Sequence, residues 1–179
     1  MIAAIQGEVI GLGDDHLILL VGGIGIRVFT PVEICTKGRI GENYFLHTHL
    51  VVREDALNLY GFLLEEERKF FTLLLGVNGV GPRVSLAILS SLSIDAIRRA
   101  VLGEQAEIFS QVPGVGKKTA QKILLHLQGR VEGDLERLGV PILDVDTEVL
   151  DALTSLGYSV VEAQAALQSI PRDGPTDLE

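Results

Sequence analysis

The middle of this chain repeats itself at an offset of 35 residues, and no other feature limits its fold as strongly. Val77-Asn-Gly79-Val80-Gly81-Pro82-Arg83 aligns with Val112-Pro-Gly114-Val115-Gly116-Lys117-Lys118, and Ile88-Leu89 then aligns with Ile123-Leu124. Each copy reads as a helix, a Gly-Val-Gly corner and a second helix. Gly76 reads as the stop of the first helix, and Pro82 suits the first position of the next. Two glycines, lacking Cβ atoms, let the backbone turn sharply and let another chain come close. The next helix starts at once, so its unpaired N–H groups and positive dipole end point away from the corner.

Such a corner is a site for an anion, above all a backbone phosphate. Arg83, Lys117 and Lys118 stand at the same place and add charge. One corner alone is an ordinary glycine turn between helices. Two in register, each followed by a base, have the helix-hairpin-helix pattern, which positions a duplex without reading its bases. Two copies would grip two stretches of backbone across a minor groove.

The predicted fold class is α+β and multidomain. Residues 1–64 read as β, with apolar or β-branched runs at Ile2–Ile10, His16–Val21, Ile24–Thr30, Asn43–Arg53 and Leu57–Leu63. Five short strands suit a small antiparallel barrel, of which the OB-fold is one solution, and composition alone does not choose it over a sandwich. Residues 65–130 read as all-helical. Glu65-Glu66-Glu67 open one helix; others cover Pro82–Ser91, Ile94–Leu102 with Ser93 as N-cap, a short stretch near Gln105–Ser110, and Lys117–Gly129. Residues 131–146, with Gly, Pro and acids, read as a flexible linker. Residues 147–179 read as a small helical module, with Thr147–Leu156 as one helix and a capping box, Ser159-Val-Val-Glu162, opening another.

Charge sharpens this division. The net charge of −9 argues against DNA when taken whole, because affinity for a phosphate backbone comes from Lys and Arg. By segment, residues 1–64 carry −3, residues 65–140 carry +1 and residues 141–179 carry −7. The acidity belongs mainly to the tail, and the bases of the middle cluster at helix starts.

Several functions are excluded or disfavoured. The single cysteine, Cys35, allows no intramolecular disulfide and no Cys-based metal cluster, which fits a reducing cytoplasm. No signal peptide is expected, since Met1 to Gly7 carry no basic charge, and no run reaches the length of a membrane span. A nucleotide-binding P-loop ending at Gly116-Lys117 would need glycine where Gln111 stands and Ser or Thr where Lys118 stands. Gly23-Ile-Gly25 lacks the third small residue of a dinucleotide fingerprint, because Val28 occupies that place. No cofactor and no catalytic residue is expected.

A second stretch adds specificity. Val51-Val52-Arg53-Glu54-Asp55-Ala56-Leu57-Asn58-Leu59-Tyr60-Gly61-Phe62 puts adjacent carboxylates at a turn between strands. By itself this is a solvated hairpin tip. Followed by Asn78-Gly-Val-Gly-Pro-Arg83 and Pro113-Gly-Val-Gly-Lys-Lys118-Thr-Ala, it resembles the RuvA family, the Holliday-junction-binding subunits of the bacterial branch migration machine. The likeness runs across residues 1–130 and continues through the domain plan of the tail.

The resemblance implies an OB-like domain I over 1–64, a helix-hairpin-helix domain II over 65–130 and a UBA-like domain III over 147–179. It implies a homotetramer, singly or as two tetramers clasping one junction, that holds a four-way junction open and square-planar in DNA recombination, repair and the SOS response. The implied DNA contacts are Asn78, Gly79, Val80, Gly81 and Arg83 in one hairpin, and Gly114, Val115, Gly116, Lys117, Lys118 and Thr119 in the other. Glu54 and Asp55 match the family's acidic pin. Domain III would bind the RuvB ATPase through Leu150, Leu153, Leu156, Tyr158, Ala165 and Leu167. The RuvC resolvase would share the junction. The family's domain III also has a third helix, which would begin at Asp177-Leu178-Glu179, where the sequence given stops. Gln6 stands before Gly7, where a base is frequent in the family.

One rival is an enzyme, a helix-hairpin-helix DNA glycosylase. Lys118 would be its Schiff-base lysine, with Asp134 or Glu136 as the carboxylate. The all-β N-terminal third fits that enzyme poorly. A scaffold that binds only protein is a third possibility. His47 and His49, two apart on one strand face, read as surface or interface residues. Cys35 reads as an inert strand-end residue. Phe70 and Phe71 cannot share one helix face, so one is expected in the core and the other against a neighbouring subunit.

Overall fold

The computed structural model describes residues 2–128 and 130. The chain begins with three strands, β1 (Ala4–Leu12), β2 (His16–Val21) and β3 (Ile24–Phe29), then a short helix α1 (Val32–Lys37), then β4 (Asn43–Val52) and β5 (Leu57–Phe62). Along β1 every second residue points inward from Ile5 to Val9, as a half-buried strand requires. Ile5, Val9, Leu17, Leu19, Val28, Leu46 and Leu59 fill the interior.

The strands close into a barrel in the order β1-β2-β3-β5-β4, with β4 returning to β1. All pairs are antiparallel except β3 with β5, which run parallel through Val28–Leu59 and Phe29–Tyr60. This order, with its one parallel pair, is an OB-like barrel. Gly22 and Gly23, with φ of +57° and +84°, make the tight turn between β2 and β3 that suits a two-residue hairpin.

Helix α1 corrects the expected position of Cys35. That residue lies on a helix, buried, with its Sγ 3.1 Å from Thr30 Oγ1. Burial pushes its thiol pKa up, so it is inert. Six residues are too few for a helical period to stand out among the neighbouring apolar runs. Their local cues are Pro31 at the start and the Glu33–Lys37 pair one turn apart.

Five helices follow: α2 (Glu65–Leu75), α3 (Pro82–Ser91), α4 (Ile94–Leu102), α5 (Ala106–Ser110) and α6 (Lys117–Leu127). The Glu67 carboxylate accepts from the Leu64 amide at 3.1 Å and so fixes the start of α2. Ser93 Oγ accepts from the Ala96 amide at 3.2 Å, the cap expected of it.

Apolar packing runs across the change from strand to helix. Phe71 of α2 meets Tyr60 and Phe62 of β5 at ring separations of 4.9 and 5.1 Å. Phe70 is buried too, with the Arg98 guanidinium 5.9 Å from its ring centre, and Arg98 also pairs with Glu66. Both phenylalanines therefore lie in the core, and neither is left for a neighbouring subunit. The reason is that α2 has barrel on one side and helices on the other, so residues about 100° apart are both covered.

Candidate nucleic-acid interface

The two glycine corners have nearly the same geometry. Gly79 and Gly114 have φ of +91° and +88°, a region that favours glycine. Gly81 and Gly116 are extended, at φ −98° and −83°, and are the N-caps of α3 and α6. Between each pair a valine is turned into the core: Val80 and Val115 are buried, as are Val77 and Val112 before them. The Val80 amide donates to Val77 O, and the Val115 amide to Val112 O, each at 3.0 Å. The family resemblance implies both valines as DNA contacts. Side chain and amide are instead spent inside the corner, so these residues anchor it.

What the corner leaves outward is the helix start. Among the described residues no side chain caps α3 or α6. The first turn of a helix has N–H groups without an intrahelical partner. Pro82 removes one of these from α3, leaving Arg83 and Val84; α6 offers Lys117, Lys118 and Thr119. Asn78, Arg83, Lys117 and Lys118 are exposed and Thr119 is half-buried. A Cβ placed on Gly79, Gly81 or Gly116 would meet nothing within 4 Å. For Gly81 and Gly116, where φ is unexceptional, nothing inside the fold calls for glycine.

The corners adjoin. A Cβ on Gly114 would lie 4.0 Å from Val84 Cγ2, one residue beyond Arg83. Arg83 of the first copy and Pro113 of the second line one groove, whose other wall includes Asp15, Thr30 and Val32 of the barrel segment. The Val32 amide donates to Ser90 Oγ of α3 at 3.2 Å and ties that wall to the hairpins. Two bases outside the expected set also stand exposed. Lys122 lies one helical turn beyond Lys118, and Arg53 precedes the acidic turn. Their signals in the sequence are the i,i+4 spacing of the first and the place of the second beside Glu54.

Glu54 and Asp55 are exposed at the tip between β4 and β5, where the Arg53 amide donates to Ala56 O at 2.9 Å and closes the turn. Val52 and Leu57, paired across the strands, are exposed below the acids. His47 and His49 share a face of β4 that is half covered by α2. His47 Nδ1 lies 3.0 Å from Glu65 Oε2, and Glu65 also pairs with Arg68. His49 packs edge-on against Phe71, and its Nδ1 has no partner. Burial first, and the Arg68 charge second, push its pKa down. Among the described residues no group of three or more His, Cys, Asp and Glu gathers to hold an ion.

Leu150, Leu153, Leu156, Tyr158, Ala165 and Leu167 lie outside the described residues, as do the segments 131–146 and 147–179, and Asp134 and Glu136. Among the described residues no helix is long and apolar enough to cross a membrane.

Comparison with known proteins agrees with this geometry. A family model described as RuvA N terminal domain matches residues 1–61. A second, described as SAM-like helix-hairpin-helix tandem, matches residues 71–128. The chain is 43% identical to a protein of Chloroflexus aggregans, 45% to one of Chloroflexus aurantiacus and 44% to one of Herpetosiphon aurantiacus. Each alignment covers 100% of this chain and 93% of the relative. All three relatives carry the name Holliday junction branch migration complex subunit RuvA.

Proposed function

This chain belongs to the RuvA family, and from that premise we propose that it is the non-catalytic, DNA-binding subunit of a branch migration complex that takes up four-way junctions. One observation carries the proposal. Two adjoining hairpins present uncapped helix starts, each beside an extended glycine whose missing side chain faces open space. That combination fits a phosphate held by placed amides.

In this reading Gly79, Gly81, Gly114 and Gly116 shape the two clamps. Arg83, Val84, Lys117, Lys118 and Thr119 offer the amides, and Arg83, Lys117 and Lys118 add charge. Asn78 stands beside the first clamp. Glu54 and Asp55 act as a pin at the crossover, where four subunits would bring their acids together. Each acid–phosphate pair a few ångströms apart in a partly desolvated site costs on the order of a kcal/mol. The pin therefore repels misplaced strands and helps keep them parted. The barrel domain over 1–64, the hairpin domain over 65–130, the linker over 131–146 and the partner module over 147–179 belong to the same proposal. So do the homotetramer, the RuvB ATPase that supplies movement, the RuvC resolvase as a further partner, and a cytoplasmic location.

A binding assay tests it. The full chain should bind a synthetic four-way junction more tightly than a linear duplex of equal length. Reversing charge at Lys117 and Lys118 should weaken junction binding and reduce its salt slope by about 0.9 for each phosphate no longer neutralised. Equal binding of both DNAs, or an unchanged affinity of the reversed variant at low salt, would overturn the assignment. Trapping with borohydride on abasic DNA separates the glycosylase alternative, since only that enzyme would leave a covalent adduct at Lys118.

A further inference from the structure

Gly76 closes α2 and opens the first corner, and its backbone gives no reason for a glycine. Its φ of −73° and ψ of −11° are ordinary helical values. The equivalent residue in the second copy, 35 positions on, is Gln111, at φ −77° and ψ −17°. The same conformation thus carries a full side chain in one copy and none in the other.

The difference lies in what fills the space. A Cβ on Gly76 would sit 2.9 Å from His126 Nε2 and 3.1 Å from His126 Cε1, against an ordinary contact of 3.4 Å or more. The obstacle is the imidazole ring of His126. The Leu73 carbonyl lies beside the imidazole, and Arg130 Nη1 donates to the His126 backbone carbonyl at 2.7 Å. Burial, then the Arg130 charge, keep its pKa low, so the ring that fits here is the neutral one.

His126 belongs to α6, the helix whose first turn is the second clamp. Lys117 lies nine residues earlier on that helix, about 14 Å away along its axis. Gly76 lies three residues before Gly79 of the first clamp. The contact therefore joins the far end of one clamp's helix to the beginning of the other clamp's corner. We propose that His126 is a positioning residue that sets the spacing of the two phosphate clamps by seating its ring in the gap left by Gly76. This rests on the hairpins being phosphate clamps.

The test is a double-mutant cycle on the full chain with Gly76→Ala, His126→Ala and both together. Junction binding is followed by fluorescence anisotropy across a salt series, and folding by thermal melting. Each single variant should bind the junction about tenfold more weakly, the order of one charge-assisted hydrogen bond. The salt slope should fall by about 0.9. The double variant should be no weaker than the singles, because once the ring is gone the added methyl has nothing to displace. His126→Gln, which keeps a neutral polar side chain to fill the gap beside Gly76 and the Leu73 carbonyl, should restore binding, a rescue that decides the matter even if Gly76→Ala does not fold.

Singles with unchanged affinity and slope, losses that multiply in the double variant, or a His126→Gln as weak as His126→Ala would each overturn the positioning role. A parallel Lys117→Glu/Lys118→Glu variant separates the two levels. If it binds normally, the clamp reading fails; if it is weak while Gly76→Ala is normal, only the positioning role fails.

Discussion

Replacing Gly81 and Gly116 by serine should make this protein more stable and worse at holding DNA. Both residues are N-caps, with φ, ψ of −98°, 176° and −83°, 164°. This is the extended backbone that a serine cap uses, and a Cβ at either place meets nothing within 4 Å. The new hydroxyl would accept from the second or third amide of the helix, Arg83 or Val84 in α3 and Lys118 or Thr119 in α6. Serine is a better cap than glycine by a few tenths of a kcal/mol, and removing a glycine from the unfolded chain adds about 0.4–1 kcal/mol. Together each site gains about 0.5–1 kcal/mol. The sites cap different helices, so both should gain about 1–2 kcal/mol, and the melting temperature should rise by about 3–6 °C. The same amides are those assigned to phosphate. Capping them, and placing a side chain in the approach, should cost each hairpin about 1.5–3 kcal/mol of binding, or roughly tenfold to a hundredfold in junction Kd. Thermal melting and anisotropy on one preparation read both effects. A stabilised variant with unchanged affinity would refute the view that these amides face DNA. A variant weakened in both would refute the view that the corners are open and uncapped.

Three further outcomes follow from the same geometry. Gly79→Ala should lower stability by about 1 kcal/mol, or about 3 °C in Tm, since φ of +91° is unfavourable for a residue with Cβ; calorimetry checks it, and an unchanged Tm contradicts it. Glu54→Gln with Asp55→Asn should preserve or tighten junction binding, because it removes repulsion at an exposed tip, and a large loss of affinity in a gel shift would contradict the pin. His49 has a folded pKa below its unfolded value, so its contribution to stability is present above about pH 6.5 and is lost as pH falls through that value toward the folded one. Melting at pH 7.5 and 5.5 should show a decline that His49→Gln reduces, and an identical decline in both proteins counts against it.

The strands are legible in the sequence because alternation is local. The run from Ile5 to Val9 announces one buried face without reference to anything else. Closure is not legible. That β4 returns to β1, and that β3 pairs parallel with β5, depends on partners tens of residues apart. Composition alone therefore leaves barrel and sandwich open. Phe70 and Phe71 mislead for a related reason. The rule that adjacent helical residues face different ways is right, but it does not say that both ways are inside. Burial on two sides follows from α2 lying between the barrel and the other helices, which no window of sequence contains.

The candidate site is legible to the degree that repetition is. Two corners in register mark the hairpins, and the bases after them mark the helix starts. The letter for glycine, however, hides three separate demands. At Gly79 and Gly114 the demand is backbone conformation, φ near +90°, and it belongs to the turn itself. At Gly76 it is an internal neighbour, the His126 ring, which comes from a different helix and leaves no trace in the repeat. At Gly81 and Gly116 neither applies: the conformation is ordinary and the space is empty. The folded chain alone would accept serine there and gain by it. Two such glycines in register fit the proposal that another chain lies close at these corners. These two glycines are thus stronger grounds for a close-lying partner chain than the lysines beside them. Exposed charge is ordinary on any surface, whereas two open helix starts in register, each beside a glycine the fold does not need, fit the proposed phosphate contacts more specifically.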